Sequence, residues 1–205
     1  MTRTRLSFLS PLVVLCCALG GVADAQNTEV EALKTQPTAS PAAPTTVSPE
    51  QAAKPDGDAD HATASILDRS GKRVGLVTLT AVPGGTLLNA EFTGLPAGVH
   101  GFHVHAVGKC EPPFDSAGPH WNPTNAAHGV AIGPGHVGDL PNLFVPENGR
   151  VHVEVFAHGL ALGEGPGGVF DGDGAALVVH ASGDDYKTNP SGNSGERIAC
   201  GVIER

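Results

Sequence analysis

Basic residues are scarce in this chain: 12 Lys and Arg stand against 21 Asp and Glu, for a formal net charge of −9. No basic stripe is present to displace counterions from phosphates, which argues against a nucleic-acid partner. Apolar runs of membrane length are scarcer still. Leu6 to Val22 is the one candidate, it is short and broken by Ser, Pro, Cys and Gly, and no second span follows. No transmembrane segment is therefore expected in the mature chain. No window sustains a 3.6-residue period, which argues against a helical domain. Cysteines number four, and two of them, Cys16 and Cys17, lie inside the N-terminal apolar run.

That run follows two arginines in Met1 to Arg5 and leads into Ala23-Asp24-Ala25, with small residues at the two positions a signal peptidase reads. Residues 1–25 have the layout of a secretory signal peptide cleaved before Gln26. Lipid attachment at Cys16 or Cys17 is the alternative, although Leu15 and Cys16 stand where a lipoprotein site usually has a small residue. Loss of the signal leaves Cys110 and Cys200. In an exported chain these read as one disulfide rather than as a pair of free buried thiols. Closing a loop of roughly 90 residues contributes roughly 4–5 kcal/mol on the chain-entropy picture.

Residues 26–60 hold Val30, Leu33 and Val47 as their only large apolar side chains, together with five prolines and no aromatic. Such a segment cannot bury enough surface to offset its ordering entropy, and a disordered linker is expected. From His61 the pattern changes to short β-branched runs divided by Gly and Pro: Ala62 to Leu67, Arg73 to Ala81, Leu87 to Phe92, the HGFHVH stretch from His100 to His105, Val151 to Phe156, Ala175 to His180 and Arg197 to Ile203. Seven or eight such strands over residues 61–205 indicate an all-β antiparallel sandwich or barrel around one core.

Six of the ten histidines fall between His100 and Asp139. His103 and His105 are two apart in a strand and so share a face. His120, His128 and His136 are eight residues apart, and Asp139 follows, in a loop of Gly, Pro, Asn and Ala without periodicity. A loop of that length needs an organiser in a compact domain. Three imidazoles and a carboxylate make a closed set suited to zinc. His180 ends an apolar strand and completes a four-imidazole set with His103, His105 and one shared loop histidine, a set suited to Cu(II). Spacing alone does not say which loop histidine is shared. His100 has the opposite parity and a structural role, and His61, His152 and His158 are expected to be exposed. Trp121 either packs over the loop or lies at a subunit contact.

In these stretches the chain resembles the copper/zinc superoxide dismutases of the bacterial exported kind. The likeness rests on GFHVH (Gly101 to His105), GPHWNP around His120, HGV at His128, HVGDLPN (His136 to Asn142), LVVH (Leu177 to His180) and GNSGERIACGVI (Gly192 to Ile203). It implies an eight-stranded Greek-key β-sandwich or barrel with long metal-binding and electrostatic loops. It implies copper held by His103, His105, His120 and His180, zinc held by His120, His128, His136 and Asp139, and a Cys110–Cys200 disulfide. It also implies Arg197 as the active-site arginine and Asp184 as the carboxylate joining a copper histidine to a zinc histidine. The implied activity is dismutation of superoxide in the cell envelope, with the periplasm as the expected location and an anchored or secreted form as alternatives. A homodimer is left open. Since the net charge repels an anionic substrate, a local positive funnel is expected, with Lys187 and Arg197 as its cations and Lys109 as a further candidate. The segment from Gly183 to Gly195 is shorter than in animal relatives. A non-catalytic metal buffer on the same fold and a partner-binding domain using the N-terminal arm are the competing readings. The filled ligand set favours the enzyme.

Overall fold

The computed structural model of the protein describes residues 60–205. The expected signal peptide, and the expected linker apart from Asp60, lie outside the described residues. Eleven strands are formed: β1 (His61–Asp68), β2 (Arg73–Val82), β3 (Gly85–Thr93), β4 (Gly98–His100), β5 (Phe102–His105), β6 (Leu143–Val145), β7 (Arg150–His158), β8 (Ala161–Glu164), β9 (Gly168–Phe170), β10 (Ala176–His180) and β11 (Arg197–Val202). One 3-10 turn spans Asp115–Ala117, and there is no α-helix among the described residues.

Seven strands make one antiparallel sheet in the order β5-β10-β11-β1-β2-β3-β7. β4 pairs with β6, and β8 with β9 in parallel. β7 lies beside β3 only after the chain has crossed to β5 at the other edge of the same sheet, which is the returning long connection of a Greek key. Counting β4 and β5 as one strand interrupted at Gly101 recovers the eight expected strands, with β8 and β9 as an additional pair. At the interruption the Gly101 N–H donates to the Ser182 carbonyl.

β1, β2 and β3 alternate because only one of their faces is covered. Ala62, Ala64 and Ile66 point inward from β1, Val77 and Leu79 from β2, and Leu88, Ala90 and Phe92 from β3. Phe92 meets Phe102 edge-to-face at 5.8 Å between centroids, joining the two halves of the core. The Pro83-Gly84-Gly85 break is a tight hairpin: Val82 pairs with Gly85 and Gly84 takes φ 89°. β3 therefore starts two residues before the expected Leu87. A side chain at Gly85 would collide with the Ala157 carbonyl.

β10 is buried along its whole length, so it reads as an unbroken apolar run. Leu177 and Val179 face the main core. Ala176 and Val178 face a second small core with Phe114, Ala117 and Cys200, under the loop that leaves β5. Cys110 and Cys200 form a disulfide that fastens this loop to β11.

Candidate metal centre

β5 aims Phe102 and Val104 into the core and turns His103 and His105 to the opposite face, where both are fully buried. His103 lies opposite Val178 and His105 opposite Ala176, so the end of β10 brings His180 to the same place. The loop after Pro119 then binds the free edge of β5. Trp121 N–H donates to the Val104 carbonyl at 2.8 Å, and Val104 N–H donates to the Gly138 carbonyl at 2.9 Å. These bonds set His120 beside His105 and Asp139 beside His103. Trp121 is buried and belongs to the main hydrophobic core.

Two groups of candidate ligand atoms result, each with all its atoms within 4.8 Å of one another: His103, His105, His120 and His180, and then His120, His128, His136 and Asp139. His120 belongs to both. Its ring centroid lies 4.1 Å from that of His103 and 4.9 Å from that of His105. On the other side it lies 5.2 Å from His128 and 5.5 Å from His136.

The partners of each ring say which nitrogen is free. His103 Nε2–H donates to Asp184 Oδ2 at 2.8 Å, which leaves Nδ1 as the lone pair. His105 Nδ1–H donates to the Gly118 carbonyl at 2.8 Å and His180 Nδ1–H to the Gly195 carbonyl at 3.3 Å, leaving Nε2 free on both. His105 Nε2 and His180 Nε2 approach to 3.4 Å. His103 Nδ1 and His120 Nε2 are buried with no hydrogen-bond partner. A buried polar atom without a partner is costly, and a cation among these four nitrogens satisfies all of them. In the second group the Nδ1 atoms of His120, His128 and His136 stand 2.8, 3.0 and 3.2 Å from the one oxygen Asp139 Oδ1. Three nitrogens gathered on one carboxylate match the donor set of zinc.

Electrostatics prepare both groups. Burial lowers His103 to about 4 and His180 to about 3 and holds His105 well below its usual value, so all three rings are neutral near pH 7. Neutral imidazole is the form that ligates. His136 is also lowered by burial. For Asp139 and Asp184 burial acts upward, yet hydrogen bonds from His120 to the first, and from His103 and His128 to the second, hold both well below the usual carboxylate range. Asp184 is fully buried and joins the groups: its Oδ1 accepts from His128 Nε2–H at 3.0 Å while Oδ2 holds His103. A side chain at Gly192 would collide with this carboxylate.

Above the first group is a cleft of about 410 Å³ lined by His105, His120, His180, Arg197, Asp115 and Pro190, among others. Arg197 donates from Nη1 to the Phe114 carbonyl and from Nη2 to the Gly118 carbonyl, both at 2.7 Å. Burial lowers its pKa and the Asp115 carboxylate opposes that shift, so it remains a cation. Lys187 is exposed on the 183–195 segment and does not line the cleft. Lys109 is paired with Glu111 at 3.0 Å, which counters its field. His100 is buried and bonds the carbonyls of His180 and Pro96, and His61, His152 and His158 are exposed, as expected. Sequence reasoning missed Asp115 and Pro190 at the cleft, and Asn142, Tyr186 and Asn189 in the surrounding loops. Asn142 ends the HVGDLPN stretch, which gives it no role of its own, and no local motif marks the other four.

Comparison with known proteins agrees with this geometry. Residues 73–203 match the family described as copper/zinc superoxide dismutase (SODC). The chain is 40% identical over 145 residues to a Superoxide dismutase [Cu-Zn] of Aquifex aeolicus, covering 69% of this chain and 86% of that one. A Superoxide dismutase [Cu-Zn] of Caulobacter vibrioides is 42% identical over 150 residues, covering 70% and 85%. The solved structure of the Cu/Zn superoxide dismutase from Brucella abortus is similar with a TM-score of 0.57 at 33% identity, over 71% of this chain and 100% of that one. On this match and these identities, the chain belongs to the copper/zinc superoxide dismutase family, oxidoreductases that consume superoxide with copper and zinc as cofactors.

Proposed function

We propose that His103, His105, His120 and His180 hold copper, that His120, His128, His136 and Asp139 hold zinc, and that the His120 ring is shared between the two ions. The observation that carries this reading is the position of His120: Nε2 lies buried without a partner among the first group, and Nδ1 faces Asp139 in the second. Copper supplies the one-electron change that both halves of the dismutation require. Zinc has no redox chemistry and serves to order the loop from His120 to Asp139.

The chain's own residues do the rest. Arg197, fixed by two carbonyls, presents the cleft's cation to superoxide and orients it. The cleft admits a small anion above His105, His120 and His180. Whenever it is free of copper, His120 Nε2 would be the nitrogen able to take up and return a proton, while Asp139 holds the opposite side of the ring. Asp184 fixes the tautomers of His103 and His128, as a carboxylate behind a metal-bound imidazole does. The site is therefore assigned the conversion of superoxide to dioxygen and hydrogen peroxide.

The same reading places the work in the cell envelope. It is supported by the signal-like residues 1–25 and by a disulfide, a bond that persists in oxidising compartments. Residues 26–60 act as a linker to the catalytic domain of residues 61–205.

Loading both groups with Cu(II) tests the shared ring by magnetic resonance. Spins joined through one imidazole couple and their separate signals vanish. Two independent signals of full strength would overturn the assignment, and superoxide consumption measured with and without copper tests the activity apart from the bridge.

A further inference from the structure

Tyr186 lies two residues after the carboxylate that joins His103 to His128, at φ 61°, a left-handed conformation uncommon for a residue other than glycine. Three of its polar groups are engaged at once. Its N–H donates to Asp184 Oδ1 at 2.6 Å. Its carbonyl accepts from Ala131 N–H at 3.1 Å, in the loop between His128 and His136. Its Oη accepts from Asn142 N–H at 2.7 Å, three residues after Asp139. Asn142 closes the circuit by pairing both ways with the Asp184 backbone, Nδ2–H to the carbonyl at 2.9 Å and Oδ1 from the N–H at 2.8 Å. Gly129 leaves room for this approach, since a side chain there would collide with the Tyr186 carbonyl.

None of these atoms is a candidate ligand, yet together they fix where the Asp184 carboxylate stands relative to the loop. The chain leaves Asp139, reaches Asn142, and is tied there to the segment that carries Asp184. The phenolic oxygen is the one side-chain atom of Tyr186 in the circuit. A phenylalanine keeps the ring and its packing but orphans the half-buried Asn142 N–H.

We propose that Tyr186 is a positioning residue that locks the loop of His120, His128, His136 and Asp139 to the Asp184 carboxylate, and that its hydroxyl slows the release of zinc from that group. This rests on the zinc assignment made above. The test is the rate at which the copper- and zinc-loaded protein gives up zinc to an excess of a chromogenic chelator at neutral pH. Tyr186→Phe releases zinc about five- to tenfold faster than wild type, the size expected for one lost hydrogen bond. Val77→Ala, a truncation in the buried core of β2, lowers Tm but leaves the release rate at the wild-type value. Asn142→Ala also speeds release, and the double variant with Tyr186→Phe is no faster than the faster single one, because one clamp has been opened twice.

A Tyr186→Phe rate within about twofold of wild type overturns the proposal, as does an equal acceleration in Val77→Ala or a double variant equal to the product of the singles. Wild-type protein that binds no zinc brings down the ligand assignment and this inference with it. Zinc bound, and lost equally fast by wild type and Tyr186→Phe, brings down the role of the tyrosine alone.

Discussion

Replacing Asp184 by asparagine alters one atom in the bond network that spans both ion groups. The carboxylate is fully buried, and its two oxygens serve three donors: His103 Nε2–H at 2.8 Å, His128 Nε2–H at 3.0 Å and Tyr186 N–H at 2.6 Å. An amide of the same shape has one acceptor oxygen. Placing it at Oδ1 retains His128 and Tyr186, two donors against one, and turns the NH2 toward the His103 N–H. Copper's proposed ligand then loses a charge-assisted bond of about 1.5–3 kcal/mol. Loss of a carboxylate behind a metal-bound histidine weakens metal binding about 10–100-fold, which is about 1.4–2.7 kcal/mol. The two estimates agree in size. Competition titrations against a chelator, run separately for copper and zinc, are expected to show copper affinity falling by one to two orders of magnitude and zinc affinity by less. Copper affinity within about threefold of wild type would refute the argument, and a greater loss at zinc would refute the placement of the retained oxygen.

Three further outcomes follow from the same geometry. Because burial holds His103 at about 4 and His180 at about 3, the unfolded chain takes up their protons near the ordinary 6.5 while the folded chain does so only lower. Stability of the metal-free protein is thus complete above about pH 6.5 and falls as pH drops toward the folded values, by about 2 kcal/mol per ring at pH 5; urea melts that stay level from pH 8 to pH 5 would contradict this. Lys187→Glu is expected to slow turnover about twofold at low salt and less at high salt, since the exposed charge acts only over distance; equal slowing at both salts would remove its steering role. Cys200→Ser opens the 90-residue separation closed by the disulfide and is expected to lower stability by about 4 kcal/mol, read as a reduced urea midpoint under oxidising conditions.

The strands β1, β2, β3 and β7 were legible because a sheet with one wet face writes a period of two into the chain. β10 was legible as a strand but not as a strand covered twice, because what covers it is the loop carrying Phe114 and Ala117, distant in sequence. The histidines and Asp139 announced an ion-binding loop through their types alone. Which ring is common to both groups was not legible in the spacing, since the three loop histidines are equally spaced; the family resemblance alone pointed to His120, and backbone bonds from Trp121 and Gly138 to Val104 on the edge of β5 bring it to both groups. The roles of Tyr186 and Asn142 left no trace in the pattern, although Asn142 ends the HVGDLPN stretch, since their work is side chain to main chain across loops 44 residues apart. Physical periodicity records burial. It does not record which carbonyl a distant hydroxyl or guanidinium will find.

The peptide oxygen of Gly118 accepts from both Arg197 and His105. That oxygen belongs to the loop that Cys110 fastens to β11, three residues beyond Arg197. The Arg197 guanidinium and the His105 ring share this one acceptor and therefore cannot drift independently, and opening the cross-link is expected to loosen both. Reduction of the Cys110–Cys200 bond is therefore expected to disturb the guanidinium and the ring in one step.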